Sequence, residues 1–399
     1  MIAYDPSFLR NSSVVKKSKQ WFSKQLISVE QMNIIFKNYT TGFYSSNLFI
    51  KIGLFVFTLI AILAVVGFYS LLFYGLLNMH YKSGFSVFIF LLFSGGCVFL
   101  LEYVIKNKKV YRAGVDECLL YMALGYVFTA IGIFFYFGYV SSSEDILVFC
   151  VLALPFLIAA IVRYADRFVT LVLAVFLYVI FFLLLLKLGE IAKVIMPFAL
   201  MILSITVYFL AIKQKQKERF FYWKKCIEVF ECLALIVFYL AGNYFVIREA
   251  SIAFFNMRLN DGENIPLAFV FYIFTAIIPL LYVYFGLKKK NKMLLWTGLL
   301  LIPAAVLTFK YYYSLGHPEI TLTLAGLVLI IVSYTCIRIL KTPKYGITFE
   351  EEPDEDNFLK SNAEALVIAQ TFGSKNSETH PETQFGGGGF GGAGSGGNF

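Results

Sequence analysis

Between about residues 52 and 340 the chain alternates long apolar stretches with short polar connections, and this alternation dictates the solvent it can fold in. The stretches cover residues 52–77, 85–105, 118–140, 145–163, 168–186, 191–212, 227–247, 266–286, 293–313 and 320–340. A helix needs about 20 apolar residues to cross a hydrocarbon layer roughly 30 Å thick. Inside that layer no water satisfies the backbone, so each crossing segment must close its own hydrogen bonds, as a helix does. With 59% hydrophobic residues and a mean hydropathy of +0.75, the chain is too apolar for a soluble globular domain. The expected fold is an all-α polytopic membrane protein with about ten transmembrane helices.

The connections carry a second pattern. Basic residues concentrate in alternate connections: the arm before residue 46, then Lys106–Arg112, Arg163 with Arg167, Lys213–Lys225, Lys288–Lys292 and Arg338–Lys344. The intervening connections hold only Lys82, Lys187, Lys193, Arg248, Arg258 and Lys310. Positive charge is retained on the cytoplasmic side, so both termini are predicted to be cytoplasmic. The net charge of +9 follows from this bias, and no nucleic-acid partner is expected. The first 46 residues are polar and basic, without a short apolar run ending in a cleavage site. The first span is therefore expected to act as an uncleaved signal anchor.

Three regions follow: a cytosolic amphipathic arm over 1–46, a membrane domain over 47–341 and a tail over 342–399. In the arm, Ser12 and Ser13 are expected to cap a first helix carrying Val15, Trp21, Phe22 and Leu26. Ser28 and Gln31 have the spacing of a capping box at the start of a second helix. The stretch Trp21, Ile27-Ser28 and Glu30-Gln31 has the form W-x-x-x-x-x-I-S-x-E-Q. It resembles the opening of a bacterial family of predicted multi-span membrane proteins of unknown function, over roughly residues 12–75. The resemblance implies a similar topology in a bacterial inner membrane, with a cytosolic helical hairpin, and implies no activity.

The tail begins with an acidic block, Glu350–Glu352 with Asp354, Glu355 and Asp356, and ends in a Gly-rich run punctuated by Phe385, Phe390 and Phe399. Such a composition cannot bury a core, and a flexible tail is expected. The third to sixth spans and the seventh to tenth share landmarks in order. Each set has a proline in its second helix, Pro155 and then Pro279, and a third helix ending near Leu188-Gly189-Glu190 or Leu315-Gly316. This is the pattern of a parallel four-helix duplication.

Ionisable groups are costly inside a membrane and mark functional paths when present. Here they gather near the basic ends of the spans: Glu102, Asp116, Glu117, Arg163, Asp166, Arg167, Glu228 and Glu231. They define a candidate polar vestibule if the second, third, fourth and seventh spans converge. Glu102 and Asp116 are the first choices, the one for its apolar surroundings and the other for the polar break around it. Candidate midplane positions are Asn243, Pro155 and Pro279, because proline frees a helical carbonyl and permits a kink. Catalytic templates are missing from the sequence: it has no His-Glu-x-x-His, no Gly-x-Ser-x-Gly and no Walker loop. The six cysteines form no Cys-x-x-Cys pair, and neither a metal site nor a cofactor is expected.

These features point first to a non-enzymatic scaffold, sensor or assembly factor, with the bilayer as its medium and protein partners reached through the arm or tail. The alternative is a transporter or flippase for a small or lipid-like solute. A third reading is an enzyme using the rim of acids and arginines on a lipid headgroup.

Overall fold

The computed structural model describes residues 2–23, 25–44, 48–72, 83–136, 143–255 and 264–312, with isolated positions between 323 and 338. All of these fall in one compact unit. The acidic and Gly-rich tail and most of the expected tenth span lie outside the described residues.

Two helices form the arm, α1 (Pro6–Ser23) and α2 (Val29–Asn38). The first starts earlier than the sequence suggests. Asp5 accepts the backbone N–H and hydroxyl of Ser7 at 2.9 and 2.7 Å, and these bonds hold its carboxyl below the usual range. Ser12 and Ser13 are thus interior residues rather than caps, and Ser13 donates back to the Arg10 carbonyl. Pro6 at the first helical position and the Asp5 carboxylate before it start the helix upstream of the serines. The second helix opens on a complete capping box formed by Ser28 and Gln31.

The bundle contains α3 (Leu48–Leu72), α4 (Ser83–Lys108), α5 (Val115–Tyr136), α6 (Ser143–Tyr164), α7 (Arg167–Leu186) and α8 (Ala192–Lys215). It continues with α9 (Lys224–Gly242), α10 (Tyr244–Phe255), α11 (Ala268–Lys288) and α12 (Lys292–Tyr312). Among the described residues, eight helices are long and apolar enough to cross a membrane, or nine if the bent pair α9–α10 counts as one. The chain is therefore a polytopic integral membrane protein.

The expected seventh span, 227–247, is not one straight helix. It breaks at Asn243 and turns by 74° into α10. Helix α9 has 19 residues, and at 1.5 Å per residue it rises about 28 Å, nearly the whole hydrocarbon thickness. At the break Gly242 lies against Phe274 and Ile278 of α11, about 15–21 Å along that helix from its basic end at Lys288.

Side-chain packing divides the bundle into two cores. One is built by α4, α5, α6 and the first turns of α7, around Cys97, Leu101, Ala123, Leu157 and Val169. The other is built by α8, α9, α11 and α12, around Met201, Leu235, Tyr239, Ile278 and Leu301. Between hydrocarbon-soaked helices the hydrophobic effect gives no preference, so close approach and hydrogen bonds select the contacts. Ser94 on α4 donates to the Ala123 carbonyl on α5 at 2.9 Å, and Gly298 on α12 lies against the Tyr282–Val283 backbone of α11. Helix α3, the most exposed of the long helices, packs against α5.

Candidate functional site

At the basic end of the first core, the loop between α4 and α5 folds back over the start of α5. Lys109 and Arg112 take left-handed backbone angles, φ 49° and 52°, which turn two successive N–H groups inward. Asp116 receives them: Arg112 N at 2.7 Å and Ala113 N at 3.0 Å. Its third donor is the Tyr4 hydroxyl at 3.1 Å, from the beginning of the arm. Asp116 is fully buried, so these three bonds stand in for the water that a carboxylate would otherwise require. Burial, and then the neighbouring Asp116 charge, push the Tyr4 phenol well above its usual range, so Tyr4 acts as a neutral donor.

Glu102 on α4 lies beside this group and is held by Arg163 on α6 through a two-pronged contact, Nε–Oε1 2.9 Å and Nη2–Oε2 2.9 Å. Tyr164 adds a third bond at 3.0 Å, and Lys106 stands 3.8 Å away. Asp166 caps α7 through Val169 N at 2.9 Å and accepts Tyr121 Oη at 3.3 Å. The start of the second core reaches the same place: Trp223 Nε1 donates to the Ile161 carbonyl at 3.0 Å, and Cys226 Sγ lies 3.6 Å from the Asp166 carbonyl. Glu117 pairs with Lys51 of α3 at 2.6 Å, and Arg167 is exposed.

The structure therefore brings Glu102, Asp116, Arg163 and Asp166 into one cluster, with α4, α5, α6 and the start of α9 converging. Glu228 and Glu231 form a separate group on the second core. Glu231, only 1% exposed, accepts Lys215 Nζ at 3.2 Å and Asn291 Nδ2 at 3.0 Å. Asn291 in turn caps α12 through Met293 N at 3.0 Å, so Glu231 fixes the cap of a neighbouring helix. Glu228 accepts Lys215 at 3.4 Å and Lys225 at 3.2 Å.

Of the expected midplane positions, Asn243 and Pro279 fall on neighbouring helices, with Gly242 against Ile278, while Pro155 is on α6 in the other core. Asn243 is buried at the break between α9 and α10. It donates to Tyr239 Oη at 2.9 Å and Thr308 Oγ1 at 3.0 Å, and accepts Val246 N at 3.3 Å, bridging the break. Thr275 supports the same break by accepting Tyr244 N at 3.0 Å. Pro279 is buried in α11 next to Ile278, whereas Pro155 is exposed on α6 in the other core. The two prolines at matching positions of the proposed repeat thus have different surroundings.

Sequence reasoning missed a cavity of about 320 Å³ between α8, α9, α11 and α12. Ser204, Tyr208, Leu235, Phe238, Tyr282 and Lys289 are among its lining residues. Its hydroxyls, from Ser and Tyr, lie in apolar runs that hydropathy averages away. Tyr4, Tyr121, Lys215 and Asn291 were also missed as site residues, since none has a spacing signature.

Fold and sites together define an all-α polytopic membrane protein whose ionisable groups crowd one end of the bundle. Compared with protein-family models, curated protein sequences and solved structures, the chain matches none.

Proposed function

We propose that this chain is a multi-pass protein of a bacterial cytoplasmic membrane, with ten spans and both termini cytoplasmic, that serves as a non-enzymatic scaffold, sensor or assembly factor. The grouping with bacterial multi-span proteins rests on the Trp21–Gln31 motif, and the orientation rests on the basic connections. The parallel four-helix duplication belongs to the same proposal and draws on the order of its landmarks.

The observation that carries the reading is the way the arm is mounted. Ala3 N donates to the Arg163 carbonyl at 2.7 Å, Tyr4 is bound to Asp116, and Tyr4, Phe8, Phe43 and Tyr111 pack edge to face or stacked. These contacts hold the foot of the hairpin on the bundle. Farther out, Trp21, Phe22, Leu26, Val29 and Ile34 are exposed, an apolar surface on a fixed mount. The rim acids support the same reading, because Glu102, Asp116 and Asp166 have their oxygens engaged by the fold itself.

The test compares the full chain with a Trp21→Ser, Leu26→Ser, Ile34→Ser variant, each crosslinked in membranes of the native host and run on a native gel. The wild type is expected in an assembly larger than the variant's. Identical migration of the two proteins would overturn the proposal.

A further inference from the structure

The cavity in the second core has a shape and charge that its surroundings do not use. It extends from Lys289 and Leu294 at the basic end to Ser204 on α8. Ser204 is 11 residues from Lys215, or about 16 Å along the helix, and Tyr282 is six residues from Lys288, or about 9 Å. Half of a roughly 30 Å hydrocarbon layer is about 15 Å, so the cavity reaches through one leaflet and stops. Its lining is almost wholly apolar, with Leu235, Phe238 and Phe285 contributing carbon surface. Three of its lining residues, Ile205, Phe209 and Phe285, are exposed on the bundle surface, so the slot opens sideways toward lipid.

The mouth is positively charged. Lys288, Lys289 and Lys290 follow one another at the end of α11, all exposed, and none has a carboxylate partner among the described residues. Lys289 Nζ lies 5.8 Å from the Phe285 ring centroid and Lys288 Nζ 5.8 Å from that of Tyr284, so both stems lie along aromatic surface with their charge at the interface. The contrast with Lys215, which is consumed by Glu228 and Glu231, is direct. A volume of about 320 Å³ lies at the small end of the range for ligand sites and is roughly twice the engineered cavity that takes benzene. It admits the length of an alkyl chain and excludes a bulky polar solute.

We propose that this slot holds one acyl chain of an anionic phospholipid from the adjacent leaflet, with the lipid phosphate bound by Lys288, Lys289 and Lys290. A lipid fits better than a soluble ligand, because the opening is lateral and the charged groups sit at headgroup depth. Basic pockets between helices on the cytoplasmic side recognise anionic headgroups by the same charge complementarity. The lipid would wedge between α8 and α11 and tie the second core together where side chains leave space.

The experiment uses the full chain in mild detergent, with native mass spectrometry for bound lipid and thermal unfolding for stability. Phosphatidylglycerol is expected to remain on the wild type as a single adduct and to raise the midpoint more than phosphatidylcholine of the same chains. The Lys288→Gln, Lys289→Gln, Lys290→Gln variant should lose at least tenfold of that headgroup preference. A Lys106→Gln, Lys108→Gln, Lys109→Gln variant should keep it. Ala234→Phe, which fills the slot, should lose the adduct with the lysines intact. Inorganic phosphate at millimolar concentration should neither stabilise the protein nor displace the lipid. Equal preference in the two triple variants, or displacement by phosphate alone, would overturn the proposal. Should Ala234→Phe fail to fold, the comparison of the two lysine triplets still decides.

Discussion

At the scale of single residues, the ionisable groups of this protein act as fasteners between distant parts of the chain. Tyr4 and Asp116 illustrate it. Replacing Tyr4 with Phe removes one hydrogen bond and leaves Asp116 with its two backbone donors, so the cost is expected to be about 1 kcal/mol. The readout is faster proteolysis of the arm at unchanged bundle stability. Alkaline pH should mimic the substitution. The Tyr4 pKa is raised in the folded protein, so the docking contribution is complete below the ordinary tyrosine value of about 10 and is lost as the pH rises beyond it. Arm protection that is flat from pH 8 to 12 would contradict this. Glu231→Leu is a harsher change, because it strips Asn291 and Lys215 of a buried acceptor. Lys215 is partly exposed and retains Glu228, so the expected loss is about 2–3 kcal/mol, at or below the lower end for breaking a buried pair. Detergent-melt midpoints of Glu231→Leu against Glu228→Leu measure the difference. The acids themselves were legible in the sequence as rare charges flanking apolar runs. Their partners were not, since Glu102 finds Arg163 across 61 positions and Asp116 finds Tyr4 across 112, and no local rule spans such distances.

At the scale of helices, length and hydropathy made most of the long elements readable, because a membrane demands the same solution from each crossing segment. The break in the expected seventh span escaped for a related reason. Hydropathy stays high on both sides of Gly242-Asn243, and an averaging window sees one run where the backbone has two. Gly followed by Asn is a helix-terminating pair, and that was the signal available. How the helices pair was illegible, because lipid-facing and helix-facing surfaces are equally apolar. Close approach decides pairing, and this gives a test with an internal control. A methyl group added at Gly298 would lie 2.8 Å from Tyr282 Cβ and 2.9 Å from the Val283 backbone nitrogen, and one at Gly286 would lie 2.7 Å from the Leu295 nitrogen. Backbone cannot yield as a side-chain tip can, so Gly298→Ala and Gly286→Ala should each cost about 1–3 kcal/mol by forcing α11 and α12 apart. At Gly95 and Gly96 of α4 an added methyl meets nothing within 4 Å. Alanine there should be neutral or slightly stabilising through helix propensity. Thermal unfolding of the four variants in one detergent separates the groups, and a uniform response would show that the α11–α12 contact is not close-packed in solution.

At the scale of the whole molecule, one polarity organises everything. The basic connections, the paired acids, the docked foot of the arm and the mouth of the slot share the same end of the bundle, while the connections at the opposite end hold far fewer basic residues. The proposed orientation attributes that asymmetry to retention of positive charge on the cytoplasmic side during insertion. Glu102, Glu117, Glu228 and Glu231 at that end pair with cations, while Asp116 and Asp166 are held by backbone N–H groups and tyrosine hydroxyls. The broken α9–α10 junction uses neutral groups instead: Asn243, Thr275 and Thr308 close it without any charge. If the orientation proposed here is right, those two ends must differ in chemical access. In a cysteine-free background, Leu188→Cys on the connection after α7 should react with a membrane-impermeant maleimide in intact spheroplasts. Lys108→Cys and Lys217→Cys, on the basic end, should react only after permeabilisation. The exposure of Leu188, Lys108 and Lys217 in the fold removes burial as an explanation for a missing signal, so protection reports the membrane alone. Reversal of the pattern would place the arm outside the cell and remove the cytoplasmic partner surface with it. Labelling of all three sites from outside would mean that the bundle does not separate two compartments as the eight long apolar helices require.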